Sequence, residues 1–165
     1  YTVRASKEEY ESNEKMVTTA KETGETKVDI ALERTVFPID EGTDLAKIFD
    51  ISMIYFDLDK WNIRPDAAKD LQKIIEVMQQ YPNMTVDIRS HTDSRQTHKY
   101  NELLSDRRAK STLEFMVKNG IDRKRLTAKG YGETQLVNGC SDGVPCSEEE
   151  HQKNRRSEFI IVKMN

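Results

Sequence analysis

This 165-residue chain has few cysteines, a small net charge and no long apolar run. No apolar run approaches the length of a transmembrane helix and no signal peptide is visible, so we expect no membrane insertion of this segment. The net charge is −3, from 26 basic and 29 acidic residues. This balance gives no electrostatic reason to expect binding to nucleic acid or to an anionic membrane surface.

The chain has two cysteines, Cys140 and Cys146, which lie close together in CSDGVPC. A small loop closed by a disulfide is the simplest interpretation, and it would imply an oxidising compartment. Two free thiols are the alternative. A zinc site is disfavoured because only His151 is near, and zinc normally takes four ligands.

The first 35 residues differ from the rest. YTVRAS, KMVTTA and TKVDIALE have the alternating pattern of short strands. Some 35 residues cannot bury a stable core of their own, and the chain begins without methionine in the middle of a strand pattern. We therefore interpret residues 1–35 as the last strands of a β-sandwich whose beginning is missing, and residues 36–49 as a linker with Pro38 and Gly42 as breakers.

Strands and helices alternate after residue 50, which predicts an α+β domain close to an α/β layer at residues 50–165. Ser147 with Glu150 forms a capping-box pattern that opens a short helix. DRKR is expected to be a solvated patch at residues 122–125. The predicted order is β-α-β-α-β-(α)-β, with strands at 51–56, 84–89, 125–133 and 157–163, and with helices starting at Pro65 and covering about 98–118 and 147–154.

Two charged residues are out of place for a purely structural role. Asp93 falls just beyond the carboxyl end of the strand at 84–89, where ligand crevices commonly form. Arg108 falls on the helical stripe that includes Leu104 and Thr112. An unpaired buried cation is very costly, so this arginine needs a counter-charge or a ligand. A buried Asp93–Arg108 salt bridge without any ligand is the structural alternative.

Four motifs then agree in order and spacing: IYFDLDKWNIRPDA, HTDS followed by YNELLSDRRAKS, LTAKGYGE and NRRSEF. They resemble the C-terminal OmpA-like domain family over about residues 50–164. The resemblance implies a mixed four-stranded sheet with its helices on one face. It also implies non-covalent binding of peptidoglycan, without enzymatic activity or a cofactor.

The resemblance implies that this chain has a ligand pocket. Asp93 and Arg108 match an acid and an arginine that are fifteen residues apart in the family. Arg155 matches the first arginine of the NRR motif. If the strand begins there, Arg155 and Arg156 point to opposite faces and only one can reach the pocket; we favour Arg155. The residues implied to line or support the pocket are Asp93, Arg108, Thr92, Asn101, Leu104, Arg155, Phe56 and Asp57.

The family's ligand is the meso-diaminopimelate of the peptidoglycan stem peptide, whose free end carries an ammonium and a carboxylate on one carbon. An aspartate can accept from the ammonium, and an arginine can hold the carboxylate with two parallel N–H···O bonds. Ser90 and the run Gln96–Thr97–His98 depart from the family pattern. These departures leave the loop conformation and the fine specificity open.

The resemblance also implies a periplasmic domain that ties an outer-membrane protein or envelope complex to the cell wall through N-terminal domains of the parent protein. The motif details look most like the Bacteroidetes branch, and YTVRASKEEYES resembles the tail of a carboxypeptidase regulatory-like module. A protein–protein interaction module of a gliding or secretion complex is the alternative function.

Other chemistries have weaker support. His91 and His98 with Asp93 lack the spacing of metal ligands. Asp57, Asp59 and Asp66 are better explained as turn and helix-cap residues than as catalytic carboxylates or a calcium loop. No nucleophilic triad or zinc set is visible, so we predict no catalytic residues and no metal.

Overall fold

A computed structural model describes residues 2–6, 13–18, 27–31, 39–51, 54 and 63–165 of the chain. The chain divides into two units, residues 1–38 and 39–165. None of the helices in the described ranges has the length and apolar character that a bilayer crossing requires.

The first unit contains a two-stranded antiparallel sheet. Strand β1 (Thr2–Ala5) pairs with β2 (Asn13–Met16). Most side chains of both strands are exposed, and Met16 is 82% exposed. Residues 27–31, the described part of the predicted third strand, lie outside both strands, so the expectation of a strand there is wrong for these residues.

The second unit confirms the predicted α+β class, with alternating helices and strands close to the expected positions. The helix at residues 98–118 and the strand at 157–163 begin and end where the sequence predicts. The Ser147–Glu150 capping box is formed. The elements are α1 (Leu45–Ile48), α2 (Pro65–Gln80), β3 (Thr85–His91), α3 (His98–Lys118), a 3-10 helix (Arg123–Arg125), β4 (Leu126–Gly132), α4 (Glu148–Asn154) and β5 (Ser157–Lys163).

The sheet of this unit is mixed, with the strand order β4-β3-β5. Strands β3 and β4 run parallel, and β3 and β5 run antiparallel. The expected fourth strand, at residues 51–56, lies mostly outside the described residues. Because β3 lies between its neighbours, the loop that follows β3 emerges beside the end of β4 and the start of β5.

One face of this sheet and the apolar stripe of α2 supply the core. Val86 and Ile88 alternate along β3, and Phe159 and Ile161 do the same along β5, all four almost fully buried. The 16-residue helix α2 begins with Pro65 at its first position, as predicted, and buries one apolar stripe. Its buried residues are Ala67, Leu71, Ile74, Ile75, Val77 and Met78.

The linker predicted at residues 36–49 is wrong for its second half. Gly42 N donates to Ile161 O at 2.7 Å, and Ile161 N donates to Thr43 O at 2.9 Å. The carboxylate of Asp44 accepts from Phe159 N at 2.8 Å, and Leu45 is fully buried. Residues 42–44 therefore pair with the edge of β5, and Leu45 joins the core. The sequence prediction missed this because backbone pairing of this kind leaves no pattern in the sequence.

Arg125 corrects the expectation of a solvated DRKR patch. Its guanidinium donates to the carbonyl oxygens of Met78 at 2.7 Å, Tyr81 at 2.8 Å and Met84 at 2.9 Å. A cation at the carboxyl end of a helix satisfies carbonyls that have no intrahelical partner. Arg125 thus joins the end of α2 to the start of β4.

Helix α3 approaches β4 very closely at Gly130. A Cβ atom added at Gly130 would overlap the backbone of Ser105 and Asp106. Next to this point, the Ser105 hydroxyl accepts from Gly132 N at 2.8 Å. The absence of a side chain at Gly130 therefore sets how near α3 lies to the sheet.

The Gly130→Ala substitution should lower the free energy of unfolding by about 1–3 kcal/mol, because backbone atoms cannot move aside as a flexible side chain can. Thermal or denaturant unfolding measures this loss. Gly139→Ala is the matched control, since an added Cβ there meets nothing within 4 Å. Equal stability of the two variants would contradict the close packing of α3 on β4.

Candidate functional site

The loop between β3 and α3 is held by its own polar side chains. Asp93 closes a short turn, with Arg95 N donating to Asp93 Oδ1 at 3.1 Å. Thr97 caps α3 and accepts from Tyr100 N at 3.3 Å. The amide of Asn101 donates to the Asp93 carbonyl oxygen at 3.0 Å, which ties the turn to the first turn of the helix.

This loop and α3 line a pocket of about 500 Å³. Six of the residues predicted to surround a ligand lie around it, and Phe56 and Asp57 fall outside the described residues. Gln96 and Tyr100 also line it, and they were not predicted as site residues. The pocket residues are Thr92, Asp93, Arg95, Gln96, Tyr100, Asn101, Leu104, Arg108 and Arg155.

Helix α3 presents two neighbouring rows of side chains. The buried row contains Asn101, Ser105, Ala109, Thr112 and Met116, which face the sheet. Leu104 and Arg108 form the next row, and both are half-buried. The prediction that Arg108 lies on the buried stripe is therefore corrected: it lies at the border of the stripe, where its side chain reaches the pocket.

Asp93 is engaged by two arginines, Arg95 and Arg155. Arg95 donates to Asp93 Oδ2 through Nη2 at 2.8 Å and through Nε at 3.3 Å. Arg155 Nη1 donates to the same oxygen at 2.6 Å. Both guanidiniums also reach Glu148, with Arg95 Nη1 at 2.7 Å from Oε2 and Arg155 Nη2 at 2.6 Å from Oε1. The four side chains form a ring of alternating charge, which we call the pocket ring.

The pocket ring keeps Asp93 ionised. Burial of the carboxyl group alone would raise its pKa, since the side chain is only 10% exposed. The hydrogen bonds from Arg95 and Arg155, and the backbone N–H of Arg95, outweigh burial and lower the pKa to about 2. The same two arginines lower the pKa of the exposed Glu148.

The predicted disulfide between Cys140 and Cys146 is confirmed, with a Cα–Cα distance of 5.9 Å. The loop that the disulfide closes contacts the loop between β3 and α3. The contact is made by Ser94, whose hydroxyl donates to the Cys140 carbonyl oxygen at 2.7 Å. Both Ser94 and Cys140 are buried. The disulfide loop therefore supports the turn that carries Asp93.

Arg155 and Arg156 lie on different sides, as predicted, although both precede β5, which begins at Ser157. Arg155 lines the pocket described above, whereas Arg156 lines a second pocket of about 400 Å³ and donates to Glu158 at 2.8 Å.

His91 stacks on Tyr131 with ring centroids 5.5 Å apart. Burial raises the pKa of Glu158 but is outweighed by His91, the largest influence, and Arg156, which bring it to about 2.

Arg95 and Glu148 are the members of the pocket ring that the sequence prediction missed. A local signal existed for Arg95, because an aspartate two residues earlier commonly accepts from a backbone N–H and turns the chain. The capping box placed Glu148 at the start of α4. No local signal could pair Glu148 with Arg95, because 53 residues separate them.

Residues 55–151 match the OmpA family. Photosystem I P700 chlorophyll a apoprotein A2 of Gloeobacter violaceus is 43% identical over 110 residues, which cover 66% of this chain and 12% of that protein. The peptidoglycan-associated lipoprotein of Agrobacterium fabrum is 33% identical over 108 residues, which cover 66% of this chain and 58% of that protein. The chain thus spans less than two thirds of the length of either relative.

The crystal structure of the peptidoglycan-associated lipoprotein from Burkholderia pseudomallei has the same fold, with a TM-score of 0.57 and 23% sequence identity. The likeness covers 66% of this chain and 87% of that one. The family match includes β3, α3, β4 and the start of α4, and so contains most of the pocket. The match spans more than half of the sequence, and the chain belongs to the OmpA family.

Proposed function

We propose that this domain binds peptidoglycan non-covalently, through the diaminopimelate of the stem peptide, and so anchors an envelope complex to the cell wall. The observation that carries the proposal is one pocket lined by the carboxylate of Asp93 and by the guanidiniums of Arg108 and Arg155. Membership of the OmpA family and the name of the Agrobacterium relative, a peptidoglycan-associated lipoprotein, support it.

The ammonium of the ligand would bind Asp93. Within the described part of the chain, Oδ1 of Asp93 accepts one hydrogen bond, from the backbone N–H of Arg95. A carboxylate oxygen has a second lone pair, so Oδ1 keeps capacity for an ammonium N–H. Asn101 holds the backbone carbonyl of Asp93, which limits movement of the carboxylate when the ligand enters.

The carboxylate on the same carbon of the ligand would bind Arg108. A planar guanidinium matches a carboxylate with two parallel hydrogen bonds. A stem peptide with lysine in place of diaminopimelate has the ammonium but lacks this carboxylate. Binding lysine would leave the arginine without its anion, which is the physical basis for a preference for diaminopimelate.

The pocket is suited to binding rather than to catalysis. Its lining, counted over the described residues, has the hydroxyls of Thr92 and Tyr100 but no histidine to activate them and no cysteine. Peptide or amide hydrolysis needs an activated nucleophile or a metal-bound water. The arginines and Asp93 instead offer fixed charges that match a zwitterion.

The same proposal puts the domain in the periplasm, held near the outer membrane by the rest of a longer protein. The Cys140–Cys146 disulfide supports an oxidising compartment. The Bacteroidetes origin stays a prediction. So does the regulatory-like character of residues 1–35, which precede the family match at residues 55–151.

Asp93→Ala and Arg108→Ala should each weaken binding of a stem peptide that ends in meso-diaminopimelate. Loss of one partner of a buried charge pair costs about 2–5 kcal/mol of binding, which is about 30-fold or more in Kd. Isothermal titration calorimetry measures the loss, beside the same peptide with lysine, which should bind weakly to the unchanged protein.

Arg107→Ala is the matched control, since Arg107 is exposed, precedes Arg108 on the same helix and does not line the pocket. It should leave the affinity unchanged. Circular dichroism must show that every variant is folded. If the unchanged protein binds neither peptide, the proposal fails and a protein–protein interaction module becomes the better explanation.

Asp93→Asn should make the free energy of unfolding depend less on pH in the acidic range. The folded pKa of about 2 lies below the ordinary 3.8, so the ionised carboxylate adds stability above about pH 4, and this is lost as the pH falls toward 2. We expect the variant to be less stable at neutral pH by on the order of 2 kcal/mol. The difference should shrink as the pH falls through that window.

Denaturant unfolding at about pH 7, 4 and 2 measures this difference. The same substitution at the exposed Asp142 is the control and should have little effect at any of these values. A difference between the parent and Asp93→Asn that stays constant with pH would mean that the arginines do not stabilise the ionised Asp93.

A further inference from the structure

Glu148 lies where two guanidiniums converge on one carboxylate. Its Oε2 accepts from Arg95 at 2.7 Å and its Oε1 accepts from Arg155 at 2.6 Å. Each oxygen therefore has its own arginine. A carboxylate of a ligand could accept charge-assisted hydrogen bonds from the same two N–H groups.

The two acids of the pocket ring differ in exposure. The side chain of Asp93 is 10% exposed, and that of Glu148 is 60% exposed. An exposed ion pair contributes little stability, because water competes for both charges and the side chains lose conformational freedom. Glu148 is thus the member of the ring that another anion can replace at low cost.

The charges that line the pocket are mostly positive, which also favours a further anion. Among the described lining residues, Arg95, Arg108 and Arg155 are cations and Asp93 is the anion. A zwitterionic head brings one ammonium and one carboxylate, so it leaves the excess of positive charge unchanged. A ligand with a second carboxylate would reduce that excess.

We propose that Arg95 and Arg155 form a second anion subsite, which Glu148 occupies until a carboxylate of the ligand replaces it. The ligand class is then a stem peptide with a free carboxylate on the residue beside the diaminopimelate, in addition to that of the zwitterionic head. Amidation of the second carboxylate removes the charge that the subsite binds. The inference rests on the proposed function and deepens it, since it makes Arg95 and Glu148 determinants of specificity.

The test compares two stem peptides by calorimetry: one with the α-carboxylate of its γ-linked glutamate free, and one with that carboxylate amidated. The unchanged protein should bind the free form about tenfold more tightly. Arg95→Gln should bring the two affinities together. Glu148→Gln should raise the affinity for the free form several-fold, because the internal competitor loses its charge.

Glu149→Gln is the matched control, since Glu149 is exposed, adjoins Glu148 and lines the other pocket, with Arg156. It should change neither affinity. Equal affinity of the unchanged protein for the two peptides would overturn the subsite. A loss of affinity in Glu148→Gln would also overturn it, because Glu148 would then hold the arginines in place rather than compete with the ligand. Failure of both peptides to bind would instead refute the proposed function itself.

Discussion

The contact of α3 with β4 at Gly130 is the constraint on which the pocket depends. Only a residue without a side chain lets the backbone at Ser105 and Asp106 lie against the strand. This contact sets the position of the helix that carries Asn101 and Arg108, and Asn101 in turn holds the loop after β3. A change in the position of α3 would therefore move Arg108 relative to Asp93, even if the residues that line the pocket stayed the same.

Electrostatics explains why so many charges can gather at one end of the sheet. A carboxylate as buried as Asp93 would be costly alone, but Arg95 and Arg155 reverse the effect of burial on its pKa. Those arginines are in turn balanced by Glu148 at the exposed side of the ring. The network thus combines inner ion pairs to a largely buried Asp93 with outer ion pairs to an exposed Glu148. The disulfide loop supports this arrangement through a single buried hydrogen bond from Ser94.

Local patterns in the sequence determined most of the elements. The helical stripe, the capping box and the strand alternation are properties of neighbouring residues, and they placed α3 and β5 at the bounds that the structure has. The short spacing of Cys140 and Cys146 likewise indicated their disulfide. The motifs were sufficient to name six residues that line one pocket, although three different parts of the chain supply them. Phe56 and Asp57 lie outside the described residues, so their part in the site stays a prediction.

Only the tertiary structure decided which charges meet. The sequence placed Asp93 and Arg108 at one pocket, and folding adds that Asp93 contacts Arg95 and Arg155 and that both of these arginines contact Glu148. Tertiary structure also decided that Thr43 pairs with β5 and that Arg125 binds carbonyls at the end of α2. The physical reason is the same in each case. Hydrophobic periodicity and helix capping act within a few residues, but ion pairs and backbone pairing join residues that are distant in sequence, and these partners are chosen by the geometry of the fold.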